Sequence, residues 1–418
     1  MKSIIIFILS SLILKVYAQQ VDGGNGHAII LQKDGSVFTI GRNNFGQLGN
    51  GTNENSNTPV LVKRLPKIKI ISRGYDHSLA IDSSGKLWAW GRNNYGQLGT
   101  SIPNDYSTPQ KLIGHSSFKT VEGGHWHTIA LKSNGTVWSW GHNFYGELGN
   151  GCREHSNYPT QVIKENGEKL SNIIDIVSVG YHSLALDRNG NVYSWGGNDF
   201  GELGHFENKI QPYAKKIDSL SSITNIAVGW HHSVALNEKG KVFIWGSDPS
   251  TQNKESTGKF LNEITQLQAL PRIKKIACGS WHSLAIDEND EVWGWGKNHF
   301  GMLGTGDTLS YSIPQKLPLP KGICNIGGGC FQTLAVDSHG NIWTMGDNPS
   351  GQQGQGNFSR LYHPEIIKFE NASTPKEGRL IDYLFWMTNI IPYLLFILSV
   401  LLNIYLYKKI KLTMAKKS

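Results

Sequence analysis

A chain of 418 residues exceeds the usual size of one compact domain, although all-β architectures run long as single units. Its 48 glycines and 13 tryptophans, with only 15 prolines, fit many turns between short strands and exclude a predominantly helical protein. The net charge of +8 sits at the ends: without the seven lysines Lys2, Lys15, Lys408, Lys409, Lys411, Lys416 and Lys417 the rest carries +1, so no nucleic-acid partner is expected.

The chain opens with Lys2, an apolar run from Ile4 to Leu14, and Val16-Tyr17-Ala18, the pattern of a secretory signal peptide over residues 1–18. The apolar part is too short to cross a bilayer.

From residue 19 to 370 one unit recurs seven times. Histidines fall at His27, His77, His127, His182, His232 and His282, and Gln332 takes the seventh place, at intervals of 50, 50, 55, 50, 50 and 50 residues. In the copy from Gly123 to Gly151, Thr128–Leu131 and Val137–Trp140 read as strands joined by a Ser133-Asn134-Gly135 turn, whose Asn and Gly tolerate positive φ. A proline-containing run such as Thr58–Val62 follows the glycine loop and belongs at a sheet edge, since proline cannot donate to a ladder. An isoleucine-rich run ending in glycine, such as Ile68–Gly74, completes four strands per period. Seven four-stranded sheets repeated radially predict an all-β, seven-bladed β-propeller.

Within this frame the pairs Trp88/Trp90, Trp138/Trp140, Tyr193/Trp195 and Trp293/Trp295 stand two residues apart, on one face of a strand, and are expected to pack between blades. The histidines are spread one per blade, too far round a circle to share a metal, and are expected to bond blade backbone. The first copy has only Gln19–Gly23 before it, so closure is expected to join a weak N-terminal strand to the last blade. The five extra residues of the one long interval fall in Ile163–Asn172.

Candidate recognition residues are the aromatics in the turn before each histidine: Tyr75, Trp126, Tyr181, Trp230, Trp281 and Phe331. Equivalent turns share one propeller face, and aromatics there suit a partner site. Sequons stand at Asn50, Asn134, Asn357 and Asn371. Cys152, Cys278, Cys324 and Cys330 show no metal-ligand spacing; three complete disulfide pairings, or free thiols, are open. No triad, paired carboxylates or phosphate loop emerges, so no catalytic residue, cofactor or metal is expected.

The run Gly74, His77, Ala80, Gly85, Trp90, Gly91, Asn94, Gly96, Gln97, Leu98 and Gly99 resembles the regulator of chromosome condensation repeat family. The resemblance implies a seven-bladed propeller. It also implies kinship with a guanine-nucleotide exchange factor for the GTPase Ran that uses a hairpin wedge and binds chromatin.

Beyond a stalk at 371–379, Leu380–Tyr407 is long and apolar enough to predict a transmembrane α-helix, with the basic tail 408–418 cytosolic by the positive-inside rule. These ends predict a single-pass type I membrane protein with its propeller extracellular or lumenal. The expected function is then a non-catalytic binding platform for an unknown protein or glycan. The alternative is an exchange factor or regulator of a small GTPase.

Overall fold

The computed structural model describes residues 18–207, 209–247 and 260–369. Among them, 28 strands form seven four-stranded antiparallel sheets, each built from four consecutive strands. The third blade shows the plan: Phe118–Gly123, His127–Lys132, Val137–Gly141 and Ser156–Gln161, from the inner strand outward.

Local sequence accounts for each position. Second strands such as His77–Asp82 are buried along their whole length, because both sheet faces meet a neighbouring blade. Outer strands carry the prolines, as Pro59 does in Ser56–Leu61, and are only half-buried. In the turn of the third blade, Gly135 takes φ +81°, and the Asn134 side chain accepts from the N–H and hydroxyl of Thr136.

The core lies between blades. Leu79, Ile81, Leu87 and Ala89 of the second blade pack with Phe118, Val121, Ala130 and Trp140 of the third. Trp90, Trp140, Trp195 and Trp245 are fully buried and donate their indole N–H across the interface, Trp90 to Gln47 O at 2.9 Å, Trp140 to Gln97 O at 2.9 Å, Trp195 to Glu147 O at 2.9 Å and Trp245 to Glu202 O at 2.8 Å, while the equally buried Trp295 leaves its indole N–H without a partner among the described residues. The packing expected of these residues is present.

The histidines make a second circuit, with a partner other than the backbone expected of them. Each Nε2 meets a hydroxyl of the next blade: His27 with Ser78 at 3.3 Å, His77 with Thr128 at 3.1 Å, His182 with Ser233 at 3.0 Å, His232 with Ser283 at 2.9 Å and His282 with Thr333 at 2.8 Å. His127 meets Ser178 at 3.0 Å and Ser183 at 3.5 Å. A side-chain hydroxyl is available because the blade backbone is consumed by its own ladders.

Closure also differs from expectation. Ala18–Gly23 hydrogen-bonds to His27–Gln32 of its own blade, so the ring closes without exchanging a strand. Instead Cys330 N donates to Gly24 O at 3.1 Å and Arg73 Nη2 to Gly328 O at 2.7 Å, while Arg73 Nε pairs with Asp22 at 3.3 Å. The five-residue excess forms a small hairpin in which Ile163 bridges Lys169, anchored by the fully buried Leu170.

All four cysteines are free thiols. No helix among the described residues is long and apolar enough to cross a membrane. The helix expected at 380–407, the stalk, the tail and Asn371 lie outside the described residues; Ala18, the last residue of the expected signal peptide, opens the first strand.

Candidate functional site

Because the strands of a blade alternate in direction, its first-to-second turn and its third-to-fourth loop emerge on the same face. The first-to-second turn holds two residues before the histidine, and they are not equivalent. The earlier one donates its backbone N–H to the next blade: Asn25 to Tyr75 O (3.0 Å), Tyr75 to Gly124 O (3.2 Å), His125 to Gly180 O (2.8 Å), Trp230 to Ser280 O (2.8 Å), Ser280 to Gly329 O (3.0 Å) and Cys330 to Gly24 O. This circuit rings the mouth of the central channel and draws its side chains towards the axis.

Tyr75 and Trp230 occupy that inner position, so rings from the second and fifth blades meet at 5.6 Å. His125 lies at the centre, with ring centroids 4.1 Å from Tyr75, 4.2 Å from Trp126, 5.0 Å from Tyr181 and 5.3 Å from Trp230. Trp281 joins through Trp230 at 5.1 Å, with the Lys297 ammonium 4.1 Å over its ring. Five of the six sequence-predicted aromatics therefore form one network. Phe331 does not join it and pairs with Phe300 at 5.0 Å.

The third-to-fourth loops add residues that the turn pattern missed. Tyr95 lies 5.2 Å from Trp126, Tyr145 lies 4.9 Å from Tyr181, and Phe200 lies 4.2 Å from His231. A signal for them exists: Phe45, Tyr95, Tyr145, Phe200 and Phe300 each precede the first glycine of the loop. Arg92 stacks over Phe45 at 4.5 Å and pairs, with Arg42, to the buried Asp76 at 3.3 and 3.5 Å.

Burial sets the charge states. It pushes the Tyr75 and Tyr181 hydroxyls up to about 12 and the His125 imidazole down to about 3, so the hub is neutral and donor-rich at pH 7. Burial also raises the Asp76 carboxyl, against the opposing pull of Arg42 and Arg92. The Trp126 and Trp230 indole N–H groups have no partner within the described residues. The face thus presents half-buried aromatic area and two arginines, the composition of a protein-binding hot spot.

Beneath the mouth the inner strands line an open cavity of about 390 Å³. Gln20, Asp22, Arg73, Glu122 and Lys275 line one side and aliphatic residues such as Val177 and Ile226 the other. The Gln20 amide exchanges two bonds with Ile71, at 2.8 and 3.1 Å, which satisfies an inner strand edge. Asn134 is exposed on the opposite face, while Asn50 and Asn357 sit in the third-to-fourth loops of the aromatic face.

The RCC1-like domain model matches residues 9–257 and 120–379. Among solved structures, yeast RCC1 (Prp20) bound to Kap60 is 24% identical, with 85% of this chain and 86% of that one covered and a TM-score of 0.70. Prp20p from Saccharomyces cerevisiae, described with its binding properties to Gsp1p and histones, is 23% identical over 85% and 88%, with a TM-score of 0.69. Human WBSCR16 is 21% identical over 78% and 88%, also with a TM-score of 0.70. No curated protein matches the chain.

These findings overturn the expected membrane-displayed platform for a protein or glycan. The matching family and neighbours are of the RCC1 type throughout the repeats, which favours the alternative of GTPase regulation. The earlier expectation rested on the two ends of the chain, where composition indicates a compartment and carries no information about the partner of the blades.

Proposed function

We propose, from the premise that this chain belongs to the RCC1-like domain family, that it regulates a small GTPase by binding it across the aromatic mouth and favouring its nucleotide-free form. The family match over all seven repeats carries the reading. The resemblance to an exchange factor for Ran and the description of Prp20p with Gsp1p and histones support it.

Exchange requires no bond-making group in the propeller. A partner that binds the empty GTPase more tightly than the loaded one weakens nucleotide affinity by the same factor, and release follows. The chain needs a surface that gains contacts with the empty form. Trp126, Tyr181, Trp230 and Trp281 supply large rigid area, Tyr75 and His125 hold them in place, and Arg42 and Arg92 offer charge at the rim.

The test loads Ran with a fluorescent GDP analogue and follows its loss on adding the chain. Accelerated release that disappears in the Trp126→Ala/Tyr181→Ala variant is expected. An unchanged release rate, with no complex formed by nucleotide-free Ran, would overturn the reading for that GTPase.

A further inference from the structure

We infer that the propeller face opposite the aromatic mouth docks on an anionic membrane surface through Lys63, Arg64, Lys67 and Lys86, with Ile113 entering the headgroup layer. That face is built from the second-to-third turns and from the connectors between blades. The connector leaving the first blade reads Lys63-Arg64-Leu65-Pro66-Lys67-Ile68-Lys69. Backbone bonds knit it to the turns on either side: Ile68 N to Gly35 O at 3.0 Å and Ser83 N to Lys67 O at 3.0 Å. Its basic side chains therefore share one patch with Lys86 of the adjoining turn.

Several other basic residues of this face have carboxylate partners. Lys164 pairs with Glu168, Arg272 with Glu288, Lys274 with Asp290 and Lys316 with Glu291. None of Lys63, Arg64, Lys67 and Lys86 makes an ion pair among the described residues. The acids nearby are engaged inside their own turns, Asp34 by Ser36 and Asp82 by Ser84, Lys86 N–H and Trp88. Asp34 reaches Lys67 only as a longer-range attraction. A chain with almost no net charge over its blades thus carries uncompensated positive charge at this connector.

Two further observations fit this chemistry. Arg64 is held at φ +65°, where the next repeat places Gly114 at +79°, so a side chain is kept at a position that favours glycine. Ile113, beside it in the repeat, is 88% exposed at the tip of the following connector. A nucleic-acid backbone would use the charge but not a protruding aliphatic tip, whereas a bilayer interface takes both. Docking by this face leaves the aromatic mouth turned to the solvent.

The test uses residues 18–369, whose seven blades close on themselves, so that binding cannot come from the apolar stretch at 380–407. Flotation is measured with phosphatidylcholine vesicles and with vesicles holding about 30% phosphatidylserine. The expected result is binding to the second only, weakened between about 0.1 and 0.5 M salt. Affinity should fall roughly fivefold per basic side chain removed, about a hundredfold for Lys63→Ala/Arg64→Ala/Lys67→Ala. Ile113→Ser should weaken binding while keeping the preference for phosphatidylserine. Circular dichroism and thermal unfolding check that each variant folds. Equal binding to both vesicles, no binding to either, indifference to Ile113→Ser, or tighter binding to a DNA duplex than to the anionic vesicles would each overturn the inference.

Discussion

The histidine circuit makes the propeller acid-labile in a calculable way. Burial lowers His27, His77 and His232 to about 3, His127 and His282 to about 4, and His182 well below the ordinary value. In the unfolded chain each titrates near 6.5, so below that pH the unfolded state binds more protons than the folded one. Their stabilisation is complete above pH 6.5 and is lost as the pH falls towards the folded values. Between pH 7.5 and 5.5 each of the five histidines lowered to about 3 or 4 loses about 1.4 kcal/mol, together roughly 7 kcal/mol, comparable with the whole stability of a domain. Asp175 works the other way: burial raises it to about 6, so acidification returns about 0.8 kcal/mol. Urea unfolding at the two pH values, for the natural chain and for His77→Gln, reads the effect. Glutamine already stands at this position in the seventh copy, where Gln332 Nε2 donates to His27 O at 3.4 Å. The variant should lose stability at pH 7.5 yet show a pH dependence smaller by about one histidine's share. Equal pH dependence in the two proteins would refute the argument.

Four further outcomes follow from the geometry. Trp140→Ala opens a cavity between the second and third blades, while Gln97 O keeps its bond from the Thr128 hydroxyl, a loss of roughly 3–5 kcal/mol in chemical denaturation. Arg73→Ala leaves the Asp22 carboxylate unpaired in the channel and unties Gly328, a cost of about 3–5 kcal/mol by the same measurement. Gly91→Ala sets a Cβ 2.6 Å from Asp76 O at φ +100° and should depress the melting temperature, whereas Ser84→Ala in an exposed turn should barely move it. Endoglycosidase treatment of the expressed chain should leave its size unchanged; a shift from glycans at Asn50, Asn134 or Asn357 would put the aromatic face out of reach of a cytosolic GTPase.

The blade was legible because every copy repeats its chemistry. Trp90-Gly91 marks the end of a third strand, Pro59 an outer strand, and the runs at Thr128–Leu131 and Val137–Trp140 fall inside His127–Lys132 and Val137–Gly141. The period assigns a residue to a blade but not to a radius. Tyr75 and Trp230 stand one place earlier than Trp126, Tyr181, Trp281 and Phe331, and that single step carries them inward to meet each other and His125. Tyr95 and Tyr145 reach the same hub from loops some twenty residues further on, a proximity that only the fold creates. Charge was obscured by averaging: ion pairs elsewhere cancel in the total and conceal the basic connector at Lys63–Lys69. The function was least legible, since one propeller architecture hosts many partners.

The most direct measurement of the central claim is nucleotide release from a panel of small GTPases, Ran first, with the natural chain and with Trp126→Ala/Tyr181→Ala/Trp230→Ala. Regulation through the aromatic mouth predicts accelerated release from at least one GTPase and its loss in the folded variant. Acceleration that survives in the variant would contradict the site, and no acceleration or complex with any member of the panel would contradict the function.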